Sequence, residues 1–159
     1  MLGGGVKERP VLVGGPASGK SSVFKSGGSV AQHMKRTIST SDAPAAVGAY
    51  SQATTNGDVI FTAGQIPMTP DGELLDDESI TVQTRQSLEN IEAILDEEGC
   101  NMTDVLKVSV FMDDMEDFDE MNDAYKEYFV DNPPARSAVE VANLPKGVGV
   151  EIEAIVDAE

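Results

Sequence analysis

The C-terminal segment constrains the fold most, because its apolar and acidic residues alternate. The apolar residues at every second position from 150 to 156 share one side of an extended chain, whereas Glu151 and Glu153 lie on the other. This alternation predicts a strand over Val148–Val156 with one face in a core and one polar face. The chain is therefore expected to build a sheet that is covered on one side.

Two segments with helical periodicity can supply that cover. Apolar residues at three- and four-residue steps predict a helix over Ser79–Glu98, which Gly99 closes. The same spacing predicts a second helix over Asp117–Val130, which ends before Pro133 and Pro134 because proline cannot continue a helix.

Four further segments are predicted as strands by their short apolar runs: Lys35–Ser39, Asp58–Gly64, Val105–Met112 and Ser137–Val141. Pro70-Asp71-Gly72 predicts a turn after the second of them. The order is then strand, strand, helix, strand, helix, strand, strand. It predicts one α+β domain over residues 34–159, with both helices on one face of the sheet.

Residues 1–33 do not share this pattern. They are rich in Gly and Ser, lack apolar periodicity, and are predicted to form a flexible extension that precedes a natural start at Met34. Within them, Gly14–Ser21 matches the phosphate-loop pattern letter for letter, and Val108–Asp114 could pass for its magnesium-binding partner strand. A phosphate loop needs a long helix behind it, whereas Gly27-Gly28 interrupts the chain within roughly two turns. We interpret the match as coincidental, and a titration with a fluorescent ATP analogue tests this.

The charge is divided between the same two regions. Residues 1–33 contain four bases and one acid, a net of +3, whereas residues 34–159 contain seven bases and 27 acids, a net of −20. Such an acidic surface repels phosphate backbones, which disfavours broad nucleic-acid binding. Because salt screens the self-repulsion of the acids, we hypothesise a salt-loving source organism, a halophilic archaeon; the alternative is an ordinary acidic protein.

On the halophile hypothesis, thermal stability increases with salt. Raising the salt concentration from about 0.1 M to about 1 M shortens the screening length from roughly 10 Å to roughly 3 Å and weakens repulsion among the acids. We expect the melting temperature to rise across such a series. A melting temperature that falls toward molar salt would contradict the hypothesis.

Several features that the sequence lacks limit the cellular compartment and the chemistry that we expect. The chain has no run of about eighteen apolar residues and no apolar leader of the secretory kind, so we expect a cytoplasmic protein that binds no membrane. Cys100 is the only cysteine, which excludes an internal disulfide, and we expect it to be structural. One histidine, His33, and one cysteine cannot supply a metal-ligand set, so no metal is expected.

Arg136 has the most specific chemistry among the candidate site residues. A guanidinium fork matches a carboxylate through two hydrogen bonds, although the local sequence by itself favours a surface salt bridge to one of the many acids. Glu151 is a candidate proton carrier if its strand face is enclosed, and a solvated acid if it is not. Tyr50 follows a small-residue loop, and Tyr125 on the second helix is expected in the core.

Seven segments carry further motifs around these residues, in the order Ala43–Gln52, Phe61–Pro67, Gln83–Ile91, Lys107–Phe111, Pro134–Val141, Leu144–Lys146 and Val150–Ile155. Together they resemble the YjgF/RidA reactive-intermediate deaminase family. The resemblance runs from about Lys35 to the C-terminus and does not cover residues 1–33.

The resemblance implies a chorismate-mutase-like α+β fold and a homotrimer, with three clefts between subunits. It implies hydrolysis of enamine/imine intermediates, such as 2-aminoacrylate (2-iminopropanoate) and 2-iminobutanoate, to 2-keto acids and ammonia, without a cofactor. It places the carboxylate-binding role on Arg136, the water-holding role on Glu151, and cleft-lining roles on Tyr50, Gly64 and Asn122.

Two positions depart from the family's pattern. Ala138 stands where many members carry a cysteine, and Ala63 stands where many carry a serine. A cysteine nucleophile is therefore absent there, although imine hydrolysis needs no covalent intermediate; the preferred substrate stays open. The alternative functions are a ribonuclease or translation inhibitor, and a non-catalytic ligand-binding or chaperone-like trimer.

Overall fold

The computed structural model describes residues 34–159, which form a six-stranded sheet and two α-helices. The predicted extension, the phosphate-loop match and His33 lie outside the described residues. In chain order the elements are β1 (Arg36–Ile38), β2 (Ala53–Thr55), β3 (Val59–Thr62), α1 (Ile80–Asp96), β4 (Val105–Met112), α2 (Phe118–Tyr125), β5 (Ala135–Glu140) and β6 (Val150–Asp157).

The strands are arranged in the order β1-β2-β3-β6-β4-β5. All neighbouring pairs are antiparallel except β4 and β5, which are parallel because α2 connects them. The last strand of the chain thus lies in the middle of the sheet, between β3 and β4. This mixed sheet with two helices confirms the predicted chorismate-mutase-like α+β class.

The core lies between the sheet and the helices, as the alternation in β6 predicted. Val150, Ile152 and Val156 are fully buried, and so are Val108 and Val110 beside them on β4. Helix α1 packs on β6, and α2 packs alongside α1. Burial of this one sheet face supplies most of the hydrophobic stabilisation of the fold.

The boundaries of α1 follow from its capping residues. The Ser79 hydroxyl accepts a hydrogen bond from the backbone N–H of Val82 and so begins the helix. Gly99, just beyond its end, has a φ of 73°, which glycine adopts without steric cost. The predicted helix Ser79–Glu98 is therefore confirmed to within a few residues.

Strand β2 was not predicted, so three strands precede α1 rather than two. Its sequence, Ala53–Thr55, is short and lacks large apolar residues, and it therefore gave no periodic signal. The Thr55 side chain is nevertheless buried. Its hydroxyl group is satisfied there, because it donates a hydrogen bond to the Val59 carbonyl oxygen at 2.8 Å. Local hydrogen bonding replaces hydrophobicity in holding this strand.

The second helix is shorter than the predicted Asp117–Val130 and ends at Tyr125. The next hydrogen bonds run from the Glu127 N–H to the Ala124 carbonyl and from the Tyr128 N–H to the Tyr125 carbonyl, so the chain tightens into turns. This tightening starts the reversal of direction before the two prolines, and the prediction of the helix end was wrong.

Strand β5 begins at Ala135, two residues earlier than predicted. Arg136 consequently lies within a strand instead of in the loop that precedes it. Its backbone is in register with Val108 of β4, whose side chain is buried on the helix side of the sheet. Because paired residues in neighbouring strands point to the same face, the Arg136 side chain lies on that side too.

No helix of residues 34–159 covers the opposite face of the sheet. It combines apolar side chains, including Phe61 at 52% exposed and Val139 at 46% exposed, with the carboxyls of Glu151 and Glu153. Among residues 34–159, no helix is both long enough and apolar enough to cross a membrane.

Candidate functional site

Arg136 is held against α2 by one hydrogen bond and two aromatic rings. Its Nη1 atom donates to the Asn122 Oδ1 atom at 2.9 Å. The guanidinium carbon lies 4.5 Å from the centroid of the Tyr125 ring and 5.5 Å from that of Phe118. Cation–π attraction and the hydrogen bond together fix the plane of the guanidinium.

No ion pair joins Arg136 to a carboxylate of residues 34–159. The other two arginines of this part of the chain have such partners, Arg36 with Glu98 and Arg85 with Glu127. The surface salt bridge that the local sequence favoured is therefore wrong for Arg136. Most of its N–H donors are available to a ligand, and a carboxylate is one of the groups that their geometry fits.

The ring beneath the guanidinium is uncharged. Burial raises the pKa of Tyr125 to about 12, although the charge of Arg136 acts in the opposite direction. Its hydroxyl is buried without a hydrogen-bond partner among the described residues. Tyr125, predicted to lie in the core, thus presents a neutral aromatic face to Arg136. Both residues line a cavity of about 270 Å³, which is here called the arginine cavity.

Glu151 lies on the uncovered face of the sheet, against the backbone of Gly64. Two hydrogen bonds hold the segments together, from the Gln65 N–H to the Ile152 carbonyl at 2.7 Å and from the Ile152 N–H to the Gln65 carbonyl at 3.0 Å. The Glu151 carboxyl is half-buried there. Burial raises its pKa, and the nearby charge of Glu153 raises it further.

A second cavity, of about 360 Å³, opens beside Gly64 and is here called the tyrosine cavity. Tyr50, Gly64, Gln65, Met68 and Lys146 are among its lining residues. The Tyr50 ring is 56% exposed and forms part of the wall. The cavity thus combines apolar walls with polar groups at its edge, as small-molecule sites commonly do.

Buried amide side chains, which the sequence analysis missed, hold the loops around this cavity. Gln52 donates to the carbonyls of Ala43 and Pro44, and its own Oε1 accepts from the Thr40 N–H. Asn90 of α1 donates to the Met68 carbonyl at 2.9 Å. The sequence carried no signal for them, because a buried amide must find partners but the pattern does not show which amides are buried.

Gly64 is needed because the Glu151 carboxyl occupies the space where a side chain would be. A Cβ atom at position 64 would lie 1.8 Å from the Glu151 Oε1 atom. Since that atom ends a flexible side chain, we expect Gly64→Ala to fold but to displace the carboxyl. A reaction that uses this carboxyl as an acid/base group should slow roughly a hundredfold, the low end of the contribution of such a group, while the melting temperature changes by only a few degrees.

The matched control for this substitution is Gly72→Ala, since no atom lies within 4 Å of a Cβ built at Gly72. Gly72 has a φ of 90°, so this variant carries backbone strain without touching Glu151. A loss of activity in Gly72→Ala equal to that in Gly64→Ala would contradict the displacement argument.

The single chain does not bring the two groups of site residues together. Arg136 and Asn122 meet on the helix side of the sheet. Glu151 lies against Gly64 on the other face, and Gly64 lines the tyrosine cavity together with Tyr50. Strand β4 also separates the strands that carry Arg136 and Glu151. Within residues 34–159, no group of three or more His, Cys, Asp and Glu side chains is arranged to hold a metal ion.

Fold and cavities together define a small chorismate-mutase-like α+β domain whose polar groups are suited to a small anionic ligand. Residues 40–158 match the sequence model of the family described as Endoribonuclease L-PSP. The chain belongs to this family, the YjgF/RidA family, as its motifs predicted.

Individual relatives cover nearly the same region. A RutC family protein of Pyrococcus horikoshii is 52% identical over 127 residues, which are 79% of this chain and 100% of that protein. The 2-iminobutanoate/2-iminopropanoate deaminase of Escherichia coli K12 is 46% identical over 126 residues, 77% of this chain and 97% of that protein. The crystal structure of Escherichia coli TdcF with bound serine is 42% identical, has a TM-score of 0.73, and is matched over 77% of this chain and 98% of that one.

Proposed function

We propose that this protein hydrolyses 2-imino acids and their enamine tautomers to 2-keto acids and ammonia. The observation that carries the proposal is the Arg136 guanidinium, which is fixed by Asn122 and two aromatic rings without a described carboxylate partner. An ordered, unpaired guanidinium is suited to the carboxylate of an amino-acid-derived substrate. The deaminase name of a relative 46% identical to this chain supports the same reaction.

The proposed mechanism assigns one role to each group. Arg136 holds the substrate carboxylate through two charge-assisted hydrogen bonds. Protonation of the enamine at carbon gives the electrophilic iminium, and a water that donates a hydrogen bond to Glu151 attacks its carbon. Glu151 accepts a proton from this water as the new C–O bond forms. The carbinolamine nitrogen then receives the proton held by Glu151. The C–N bond breaks and ammonia leaves, while the hydroxyl group loses its proton to solvent and becomes the carbonyl.

The raised pKa of Glu151 suits this role, because a carboxylate that holds its proton more tightly is a stronger base near neutral pH. A pre-positioned base of this kind typically contributes roughly 10²–10⁴-fold to a rate. No covalent intermediate is required, so the alanine at position 138 is compatible with the reaction.

The complete site is proposed to form between subunits of a homotrimer. Arg136 and Glu151 lie on opposite faces of the sheet, so one chain cannot present both to one small substrate. The uncovered face, with Phe61 and Val139 exposed, is the surface that a second copy would bury. Light scattering of the purified protein tests this, and a monomer that is fully active would contradict it.

The proposed activity is tested by supplying 2-iminobutanoate from a threonine dehydratase and following its disappearance and the formation of 2-ketobutyrate. We expect the protein to accelerate both. If the rate of imine loss stays at the spontaneous rate while 2-ketobutyrate still binds, the non-catalytic ligand-binding function is favoured instead.

Endoribonuclease activity is the second candidate, because the matched family model carries that description. The net charge of −20 over residues 34–159 opposes it, since RNA binding draws on basic grooves. The test is cleavage of labelled RNA at matched salt. Cleavage by the wild type that is lost in Arg136→Ala would favour this candidate.

A further inference from the structure

Lys146 has a backbone conformation that lysine adopts at a cost. Its φ is 59° and its ψ is 13°, in the left-handed region, within the turn Pro145–Gly147 that leads into β6. Among the described residues only Asn132 shares this property without being a glycine. In this conformation the Cβ atom crowds the following carbonyl. Glycine avoids this because it has no Cβ atom, and asparagine offsets it because its short polar side chain can hydrogen-bond locally. Strain of this kind is often found where a side chain has a function.

The Lys146 side chain is also without a carboxylate partner in the described part of the chain. This matters because 27 acids surround only seven bases over residues 34–159. Arg36, Arg85 and Lys126 each form an ion pair there. Lys146, like Lys35, Lys107 and Arg136, has no such pair among the described residues, so its ammonium group is available to a ligand. It lines the tyrosine cavity with Tyr50 and Gly64, and it is the only basic residue among the described lining residues.

We propose that the Lys146 ammonium group is a second cationic contact for the anionic substrate, at the mouth of the tyrosine cavity. This inference rests on the proposed function, in which the substrate carries a carboxylate and a second copy of the chain brings its Arg136 to the cavity that Lys146 lines. A carboxylate has acceptor sites beyond the two that a guanidinium fork occupies, so an ammonium group can contact the same anion. In so acidic a domain, a positive charge at the entrance also offsets the repulsion that an incoming anion meets.

The turn explains how the side chain is placed. The Gly147 N–H bonds to the Leu144 carbonyl at 3.2 Å, and the Val148 N–H bonds to the Pro145 carbonyl at 3.4 Å. Val148 is fully buried. The turn is thus fixed to the core at one end, and it holds Lys146 among the lining residues of the tyrosine cavity.

The test compares Lys146→Asn with Lys146→Arg. Asparagine removes the charge and suits the left-handed backbone, whereas arginine retains the charge. For Lys146→Asn we expect KM for 2-iminobutanoate and Kd for 2-ketobutyrate to rise roughly tenfold, the effect of losing one charge-assisted hydrogen bond, with kcat little changed. The melting temperature should stay the same or rise by a few degrees. Lys146→Arg should bind within about threefold of the wild type, because its charge is kept.

Two readouts separate binding from a general effect of charge or structure. The difference in KM between wild type and Lys146→Asn should shrink as salt is raised, since an exposed ammonium group is screened. Lys35→Gln removes a charge from an exposed residue that lines neither cavity, and its KM should match the wild type.

The outcomes distinguish this inference from the proposed function. If the wild type hydrolyses imines and Lys146→Asn has unchanged KM and Kd, or if Lys35→Gln loses as much, the role of Lys146 is refuted and the proposed function stands. If the wild type binds 2-ketobutyrate without turnover, the hydrolytic function fails, and Kd alone decides the role of Lys146. If the wild type neither hydrolyses imines nor binds a 2-keto acid, both fail.

Discussion

Replacing Arg136 by Ala is expected to reduce kcat/KM for imine hydrolysis by at least about a hundredfold. Two charge-assisted hydrogen bonds to the substrate carboxylate are lost, and at about 1.5 kcal/mol each they correspond to a factor of this size. The fold should persist, because the side chain lies at the edge of a cavity and makes one described hydrogen bond, to Asn122. The coupled assay with threonine dehydratase measures the activity, and a thermal melt measures the stability.

The matched control is Arg85→Ala, which removes the same side chain from the exposed face of α1. Arg85 is paired with Glu127 and lines neither cavity. Loss of an exposed ion pair of this kind costs about 0–1 kcal/mol of stability, and activity should be retained. Arg136→Lys should recover only part of the lost activity, because an ammonium group cannot form the two parallel hydrogen bonds of a guanidinium. Full activity in Arg136→Ala would refute the carboxylate assignment.

Replacing Glu151 by Gln should lower kcat by roughly 10²–10⁴-fold with a smaller change in KM. The amide can still hold a water by hydrogen bonding but cannot accept its proton. In the wild type, activity should fall as the pH decreases through the pKa of Glu151, because protonation removes the base. Burial and Glu153 place that pKa above the ordinary carboxyl value, so the loss occurs at a higher pH than an exposed glutamate would give.

The contribution of Glu151 to the free energy of unfolding should change with pH in the direction opposite to the change in activity. The folded state holds the Glu151 proton more tightly than the unfolded state does, because burial raises the pKa. Its contribution therefore favours folding below the unfolded-state pKa and is lost as the pH rises through the folded-state pKa. Glu151→Gln removes this unfavourable buried charge, so at neutral pH the variant should be at least as stable as the wild type while it is far less active.

Glu153→Gln is the matched control on the same strand and the same face. It should keep activity at neutral pH and shift the acidic limb of the pH profile to lower pH, because the neighbouring charge that raises the pKa of Glu151 is removed. A wild-type pH profile without an acidic limb would contradict the role of Glu151 as the base. So would an acidic limb at the same pH in the wild type and in Glu153→Gln.

The strongly periodic elements could be predicted from the sequence, whereas the weakly patterned ones could not. Strand Val105–Met112 has the predicted bounds, and α1 differs by a few residues, because each buries a continuous apolar stripe. Strand Ala53–Thr55 was missed, since it is stabilised by neighbouring strands and a threonine hydroxyl rather than by a pattern of its own. The end of α2 was misplaced, because the turn toward the prolines begins before any breaking residue.

The candidate site shows the same division. The chemistry of Arg136, Glu151 and Tyr50 could be predicted from their types and motifs. Their grouping could not, because it depends on sheet register: pairing with Val108 turns Arg136 toward the helices, and pairing with Phe111 turns Glu151 away from them. The residues that hold the loops, such as Gln52 and Asn90, emerge only when their burial is known.

Periodicity and motif order are properties of the linear chain. They were therefore enough to predict the α+β class, the family and the residue types that can act on an anionic substrate. The tertiary structure decided which groups meet, because contacts between distant segments depend on strand order and register. In the folded protein Arg136 packs on the Tyr125 ring and Glu151 lies against Gly64, and these two pairs are on opposite faces of the sheet. That separation is the physical reason for proposing that a second copy of the chain completes the site.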